Sequence, residues 1–182
     1  MARLHGLDCA CCAGRGLTRR GLLGAVAAVG ALAAMPVATR AANYGPVEAC
    51  LLNCMDPRIT QDSLKYMHGR GLTEGTYSQI VLAGGPIAAV APSFSDWQKT
   101  VWDNLAATIQ LHSIRRVIAL SHRDCGAVKI AFGPEAVATP ELETANHVKL
   151  LTEFRAQVAA RHPTLLVETG IMTLDGAVQM VG

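Results

Sequence analysis

The stretch Val47–Arg58, V-E-A-C-L-L-N-C-M-D-P-R, constrains the chain more than any other. Glu48–Asn53 reads as a short and mostly apolar strand. A run of that kind suits the middle of a parallel sheet, where both faces are covered. Pro57 then ends it, because proline has no N–H to donate to a ladder. Cys54 is therefore expected at the carboxyl end of a strand, which is where open α/β sheets place their sites. Asp56 and Arg58 follow at two-residue steps. Far downstream a third strand candidate, Val117–Leu120, leads into S-H-R-D-C-G, with His122 and Cys125 expected in the loop Ser121–Cys125.

The remaining pattern alternates. A helix is expected over Ile59–His68, a strand over Tyr77–Leu82, then a turn at Gly84 and Gly85. The Gly pair can take backbone angles that other residues avoid, which allows a close approach. It lacks the spacing and the lysine of a phosphate loop. Ser93 or Ser95 is expected to cap the next helix. In that helix Trp97, Val101, Leu105 and Ile109 recur every fourth residue and Trp102 widens the face, so both tryptophans read as core. Gly126–Ala131 starts another helix, and Phe132–Thr139 reads as a loop. Glu141–Arg161 is the longest helical stretch, with Glu141 and Glu143 suited to its first turn. Leu165–Glu168 is a fourth strand. Ile171–Leu174 and Ala177–Val181 flank Asp175–Gly176, a hairpin signal. This order predicts a three-layer α/β domain with a mostly parallel central sheet of about four or five strands.

The formal charge of +2 misleads. Residues 1–41 hold five arginines and one aspartate, leaving 11 basic and 13 acidic side chains beyond them. No basic stripe remains to offset phosphates, so no nucleic-acid partner is expected. Arg19 and Arg20 precede an uncharged run, Leu22–Met35 is rich in Ala, Gly, Leu and Val, and Pro36 interrupts it. A charged head, an apolar centre and small residues beyond describe a secretory signal, and the paired arginines resemble a twin-arginine export signal. Residues 1–41 are thus expected to be a leader, cleaved near Ala41 or Ala42. Residues 42–182 are expected to form a single domain in the periplasm. A retained leader would tether that domain to the membrane. Cys9, Cys11 and Cys12 fall in the leader, so only Cys50, Cys54 and Cys125 belong to the folded part, too few for a disulfide scaffold.

Cys54, His122 and Cys125 make a three-ligand zinc set that leaves a fourth position open. Zinc so held can activate water towards a small electrophilic carbon. Asp56 could orient that water, and Arg58 could hold Asp56 through a bidentate pair and keep it ionised. Alternatively Asp56 could fill the fourth position and close the site, or pair with Arg58 for structure alone. Cys50, inside the apolar run, reads as a small hydrophobe. His68, His112, His147 and His162 read as surface or helix residues, and Asp124 as a loop or capping residue.

Cys-x-Asp-x-Arg after a first strand, followed much later by His-x-x-Cys-Gly after a third, resembles the β-class carbonic anhydrases. The matching residues are Cys54, Asp56, Arg58, His122, Cys125 and Gly126, and the resemblance runs over about Glu48–Val181. It implies one zinc per chain on Cys54, His122 and Cys125, with Asp56 and Arg58 as the catalytic dyad. The implied reaction is reversible hydration of carbon dioxide to bicarbonate, in a homodimer. The chain departs from the family at Val81–Gly85, where members usually read Arg-Asn-Ala-Gly-Asn. It also departs before the first strand, where the partner-wrapping helices of typical members have no counterpart. A zinc hydrolase or lyase acting on carbonyl sulfide or carbon disulfide, or a non-catalytic zinc-binding protein, would use the same ligands.

Overall fold

The structure is a computed structural model and describes residues 46–182. These fall within one compact unit, Asn43–Gly182. The expected leader, residues 1–41, lies outside the described residues. Among the described residues no helix is long and apolar enough to cross a membrane.

Five strands form one sheet: β1 (Ala49–Cys54), β2 (Tyr77–Leu82), β3 (Arg116–His122), β4 (Leu166–Met172) and β5 (Val178–Val181), in the order β2-β1-β3-β4-β5. All pairings are parallel except β4 with β5. Four helices connect them: α1 (Thr60–Gly69), α2 (Ser95–His112), α3 (Gly126–Phe132) and α4 (Pro140–Arg161). The expected three-layer α/β domain is what forms.

Why the layers form follows from strand order. The chain steps from β1 outward to β2, then back across β1 to β3 and on to β4. Right-handed crossovers in opposite directions put α1 on one face and α2 and α4 on the other. Trp102 of α2 and Phe154 of α4 stack on that second face, with ring centroids 5.6 Å apart. Every residue of β1 is buried, as a strand covered on both faces requires. Few aromatics are available, so Leu51, Leu52, Ile118, Leu120, Leu151 and Ile171 fill most of the core. Asn53, only 2 % exposed, is the polar exception in β1. Its amide donates to Ser63 Oγ at 3.3 Å and accepts from Gln79 at 3.0 Å. Buried polar groups persist when paired in this way.

Several elements differ from expectation. β3 runs on through Ser121 and His122, so His122 ends a strand instead of sitting in a loop. Leu165–Glu168 and Ile171–Leu174 are not two strands. β4 is continuous across Thr169 and Gly170, because it pairs with β3 on one side and β5 on the other. Asp175–Gly176 does turn the hairpin, with Gly176 at φ 89. Neither serine caps α2: its N-cap is Phe94, with no side-chain hydrogen bond. Ser93 instead donates to the Ala131 carbonyl at 3.0 Å. Trp102 is core, but Trp97 is 44 % exposed and stacks on Phe94. A four-residue repeat marks a helix face but not its neighbours, and among the described residues that end of the stripe is only half covered. Phe132–Thr139 contains a short 3-10 turn, Pro134–Val137.

Candidate metal centre

β1 and β3 are hydrogen-bonded neighbours, with Asn53 opposite Leu120. β1 ends one residue later at Cys54, and β3 ends two residues later at His122. The register alone therefore brings two distant sequence clusters to one edge of the sheet. Cys125 follows as the N-cap of α3. One ligand atom from each of Cys54, His122 and Cys125 lies within 4.8 Å of the others, and all three residues are buried.

The His122 ring is oriented from behind. Its Nδ1 lies 2.9 Å from the Arg123 carbonyl oxygen. A carbonyl only accepts, so in the neutral ring Nδ1 carries the proton and Nε2 presents its lone pair. That Nε2 is buried and has no hydrogen-bond partner among the described residues. A bare buried nitrogen is costly unless something completes it. Two thiols and this imidazole nitrogen fit a tetrahedral metal with one open position. The cluster could hold such an ion.

Electrostatics favour the thiolate at Cys54, with the proton shared out to its two neighbours. Cys54 is held well below the ordinary thiol range: the Cys125 thiol donates to it, and His122 and the Gly84 N–H add to that against the penalty of burial. The Gly84 N–H reaches the Cys54 sulfur at 3.2 Å. Cys125 is pushed up, by the Cys54 sulfur first and then by burial. Burial would lower His122, but the neighbouring Cys54 sulfur raises it on balance. Cys50 lies outside the cluster, and burial pushes its thiol up to about 12. That matches its reading as a small hydrophobe.

Asp56 and Arg58 meet because of the turn between them. Pro57 opens a 3-10 turn, Pro57–Ile59, and Asp56 is its N-cap. One Asp56 oxygen accepts from the Arg58 backbone N–H at 2.9 Å and from Nε at 3.0 Å. The other accepts from Nη2 at 2.7 Å. This two-pronged pair holds the Asp56 carboxyl down to about 2. Its Oδ2 lies 3.9 Å from His122 Nε2, at the edge of the cluster.

The same guanidinium reaches the other strand end. Its Nη1 donates to Asp124 Oδ2 at 2.8 Å, and its Nη2 to the Asp124 carbonyl at 3.1 Å. Asp124 also pairs with Lys129. It has a left-handed backbone, φ 55, which Asp tolerates better than most residues. Arg58 thus ties the loop after β1 to the loop after β3. Asp124 is more than the loop or capping residue expected from the sequence.

The loop after β2 closes the third side. Gly84 and Gly85 have φ of 78 and 53. A Cβ on Gly85 would lie 2.7 Å from the Asn53 carbonyl carbon and 2.9 Å from the Cys54 nitrogen. The pair makes a close approach to the backbone that carries Cys54. A cleft of about 260 Å³ opens onto Cys54 and Asp56, walled by Met55, Pro57, Ala83, Ala127 and Ile130. Its walls are largely apolar.

All five residues singled out from the sequence, Cys54, Asp56, Arg58, His122 and Cys125, thus gather in one place. His147 departs from expectation in part. It lies on a helix but is fully buried, with both ring nitrogens unpartnered among the described residues. Glu143 was expected only to favour the first turn of its helix. It is instead buried against the loop after β3, accepting from the Asp124 N–H at 2.5 Å. No periodicity in the sequence marks either contact.

An uncharacterized protein of Rickettsia conorii is 35% identical over 131 residues, 72% of this chain and 70% of its own length. A second, from Rickettsia bellii, is 34% identical over 131 residues, covering 72% and 79%. The chain belongs to the family of these proteins. No family model matches it. Among solved structures, carbonic anhydrase from Glaciozyma antarctica superposes with a TM-score of 0.50 at 18% identity, covering 92% of this chain and 98% of that one. β-Carbonic anhydrase isoform I of Trichomonas vaginalis gives 0.53 at 14% identity, covering 90% and 97%. The likeness to these two structures is one of fold.

Proposed function

We propose that the chain is a zinc-dependent lyase of the β-carbonic anhydrase type, which reversibly hydrates carbon dioxide to bicarbonate. Cys54, His122 and Cys125 would hold one zinc ion per chain. The observation that carries this reading is the bare, buried His122 Nε2 beside two buried sulfurs. When bound, zinc supplies Lewis-acid activation of water for attack on a small electrophilic carbon. Asp56 stays ionised beside the cluster because Arg58 grips both its oxygens. It can accept a hydrogen bond from an incoming water and turn the lone pair of that water towards the substrate. That grip also counts against Asp56 serving as a permanent fourth ligand. The apolar cleft favours an uncharged substrate over a charged one.

A second reading takes carbonyl sulfide or carbon disulfide as the substrate. The largely apolar walls of the cleft, among them Met55, Ala83, Ala127 and Ile130, favour it. A stopped-flow hydration assay of zinc-loaded protein over about pH 6.5–9 tests the first reading. Activity that rises with pH and is largely lost in Asp56→Asn, with zinc retained, is expected. A fully loaded protein no faster than buffer would reject it, and parallel assays with the sulfur compounds would then test the second.

Residues 1–41 act in this proposal as a twin-arginine leader that exports the domain to the periplasm after its metal is loaded. Replacing Arg19 and Arg20 with lysine should leave the protein in the cytoplasm, and undiminished periplasmic recovery would refute that route. The domain is proposed to work as a homodimer, since β2 leaves one edge of the sheet unpaired among the described strands. Sedimentation showing only monomer at micromolar concentration would reject the dimer.

A further inference from the structure

Glu143 is 7 % exposed, while its neighbour Glu141 on the same first turn of α4 faces solvent. Favouring the helix dipole explains Glu141 but not the burial of Glu143. A carboxylate taken out of water needs specific partners. Glu143 has them, and they belong to the segment between His122 and Cys125. Its Oε1 accepts from the Asp124 backbone N–H at 2.5 Å. Its Oε2 accepts from Arg123 Nη1 at 3.4 Å, and that same nitrogen donates to Thr144 Oγ1 at 2.7 Å. His147, one turn along α4, places Nε2 3.9 Å from Oε1.

Asp124 is the left-handed residue of this segment, and its backbone conformation decides how the chain turns from His122 to Cys125. Its side chain and carbonyl also hold Arg58, which holds Asp56. One buried carboxylate therefore anchors the single turn on which both halves of the site depend. We infer that Glu143 is a positioning residue. From α4 it fixes the turn at Asp124, and thereby aims His122 and Cys125 at a common point and Arg58 at Asp56. The inference rests on the proposed zinc reading of the cluster.

Zinc affinity, measured by competition with a chromophoric chelator, and the visible absorption of the cobalt(II)-substituted protein test it without reference to activity. Glu143→Ala should weaken zinc binding by about 10–100-fold, the usual cost of losing a group that orients a ligand. It should also shift the cobalt bands. Glu143→Gln, which keeps an acceptor for the Asp124 N–H, should restore most of the affinity and the native spectrum. Glu141→Ala should change neither. Where the alanine variant does not fold, Glu143→Asp gives the same reading: it keeps the charge but is one methylene too short to reach Asp124. Native affinity and an unshifted spectrum in folded Glu143→Ala or Glu143→Asp would overturn the inference while leaving the zinc reading intact. Failure of the unsubstituted protein to bind zinc would overturn both.

Discussion

Gly85→Ala should damage the site more than its size suggests, and the structure supplies its own control. Two separate penalties act at Gly85. Its φ of 53 lies in the left-handed region, where an L side chain costs about 1–2 kcal/mol. The new methyl would also sit 2.7 Å and 2.9 Å from backbone atoms of Asn53 and Cys54. Those atoms belong to a fully buried central strand and cannot swing aside, so overpacking adds about 1–3 kcal/mol. Gly71 has φ 77 but nothing within 4 Å of its missing Cβ, so Gly71→Ala bears only the first penalty. Alanine also removes some freedom from the unfolded chain at both positions, which offsets roughly 0.4–1 kcal/mol in each. Urea denaturation should therefore show Gly71→Ala down by up to about 1.6 kcal/mol, and Gly85→Ala by about 1–4.6 kcal/mol. The difference between the two isolates the contact. Because the displaced backbone carries Cys54, Gly85→Ala should lose zinc as well, and Gly71→Ala should not. Equal destabilisation of the two variants, within about 0.5 kcal/mol, would refute the steric argument.

Arg58→Lys keeps the charge but loses the planar fork that spans Asp56 and Asp124, so the proposed carbon dioxide hydration should fall at least about tenfold with zinc content unchanged; native turnover would remove Arg58 from the proposed dyad. His147 is held down to about 4 by burial first, with Arg123 and His122 on β3 and its following turn adding, while Glu143 on its own helix faces Nε2. Its folded pKa is depressed, so the unfolded state takes up the proton first. Stability should fall as the pH drops from about 6.5 towards 4, by up to about 3 kcal/mol. The depressed Asp56 carboxyl adds no loss there, since its contribution disappears only as the pH falls through the range from its ordinary value to about 2. Urea midpoints at pH 7 and 4.5 should show a smaller drop in His147→Leu than in the unsubstituted protein; identical drops would refute this. Cys50→Ala should leave the zinc stoichiometry at one while Cys125→Ala abolishes it, as metal analysis of the two proteins will decide.

The parts of the site that could be read from sequence are those fixed by chain-local physics. Pro57 stops β1, so Cys54 had to stand at a strand end, and the two-residue step from Asp56 to Arg58 fits the turn that Pro57 makes. His122 was harder to place, because a histidine after an apolar run resembles the start of a loop. Only pairing with Met172 on β4 carries β3 through it. The contacts of Asp124 and Glu143 could not be read. Their partners are 66 and 19 positions away in the chain, and no repeat or composition signals such a contact. Trp97 and Trp102 show the same limit from the other side, since one helical stripe contains both a core residue and a half-exposed one.

The two ends of the ligand set come from β1 and β3, which touch in space but not in sequence. The loop from Cys54 to His122 spans 68 positions and contains α1, β2 and α2. Closing a loop of that length has to precede any reward from the contact it makes. A metal ion meeting the unfolded chain therefore finds no compact local clamp of the kind that lets a zinc finger fold around its ion. His122 and Cys125 alone give two ligands on a short segment, and the third arrives only when the parallel pair has zipped to its end. On the proposed zinc reading, metal capture would be a late reader of folding, not its nucleus. A mutation anywhere along the β1–β3 seam should then show up first as slow or incomplete metal uptake, before any loss of secondary structure.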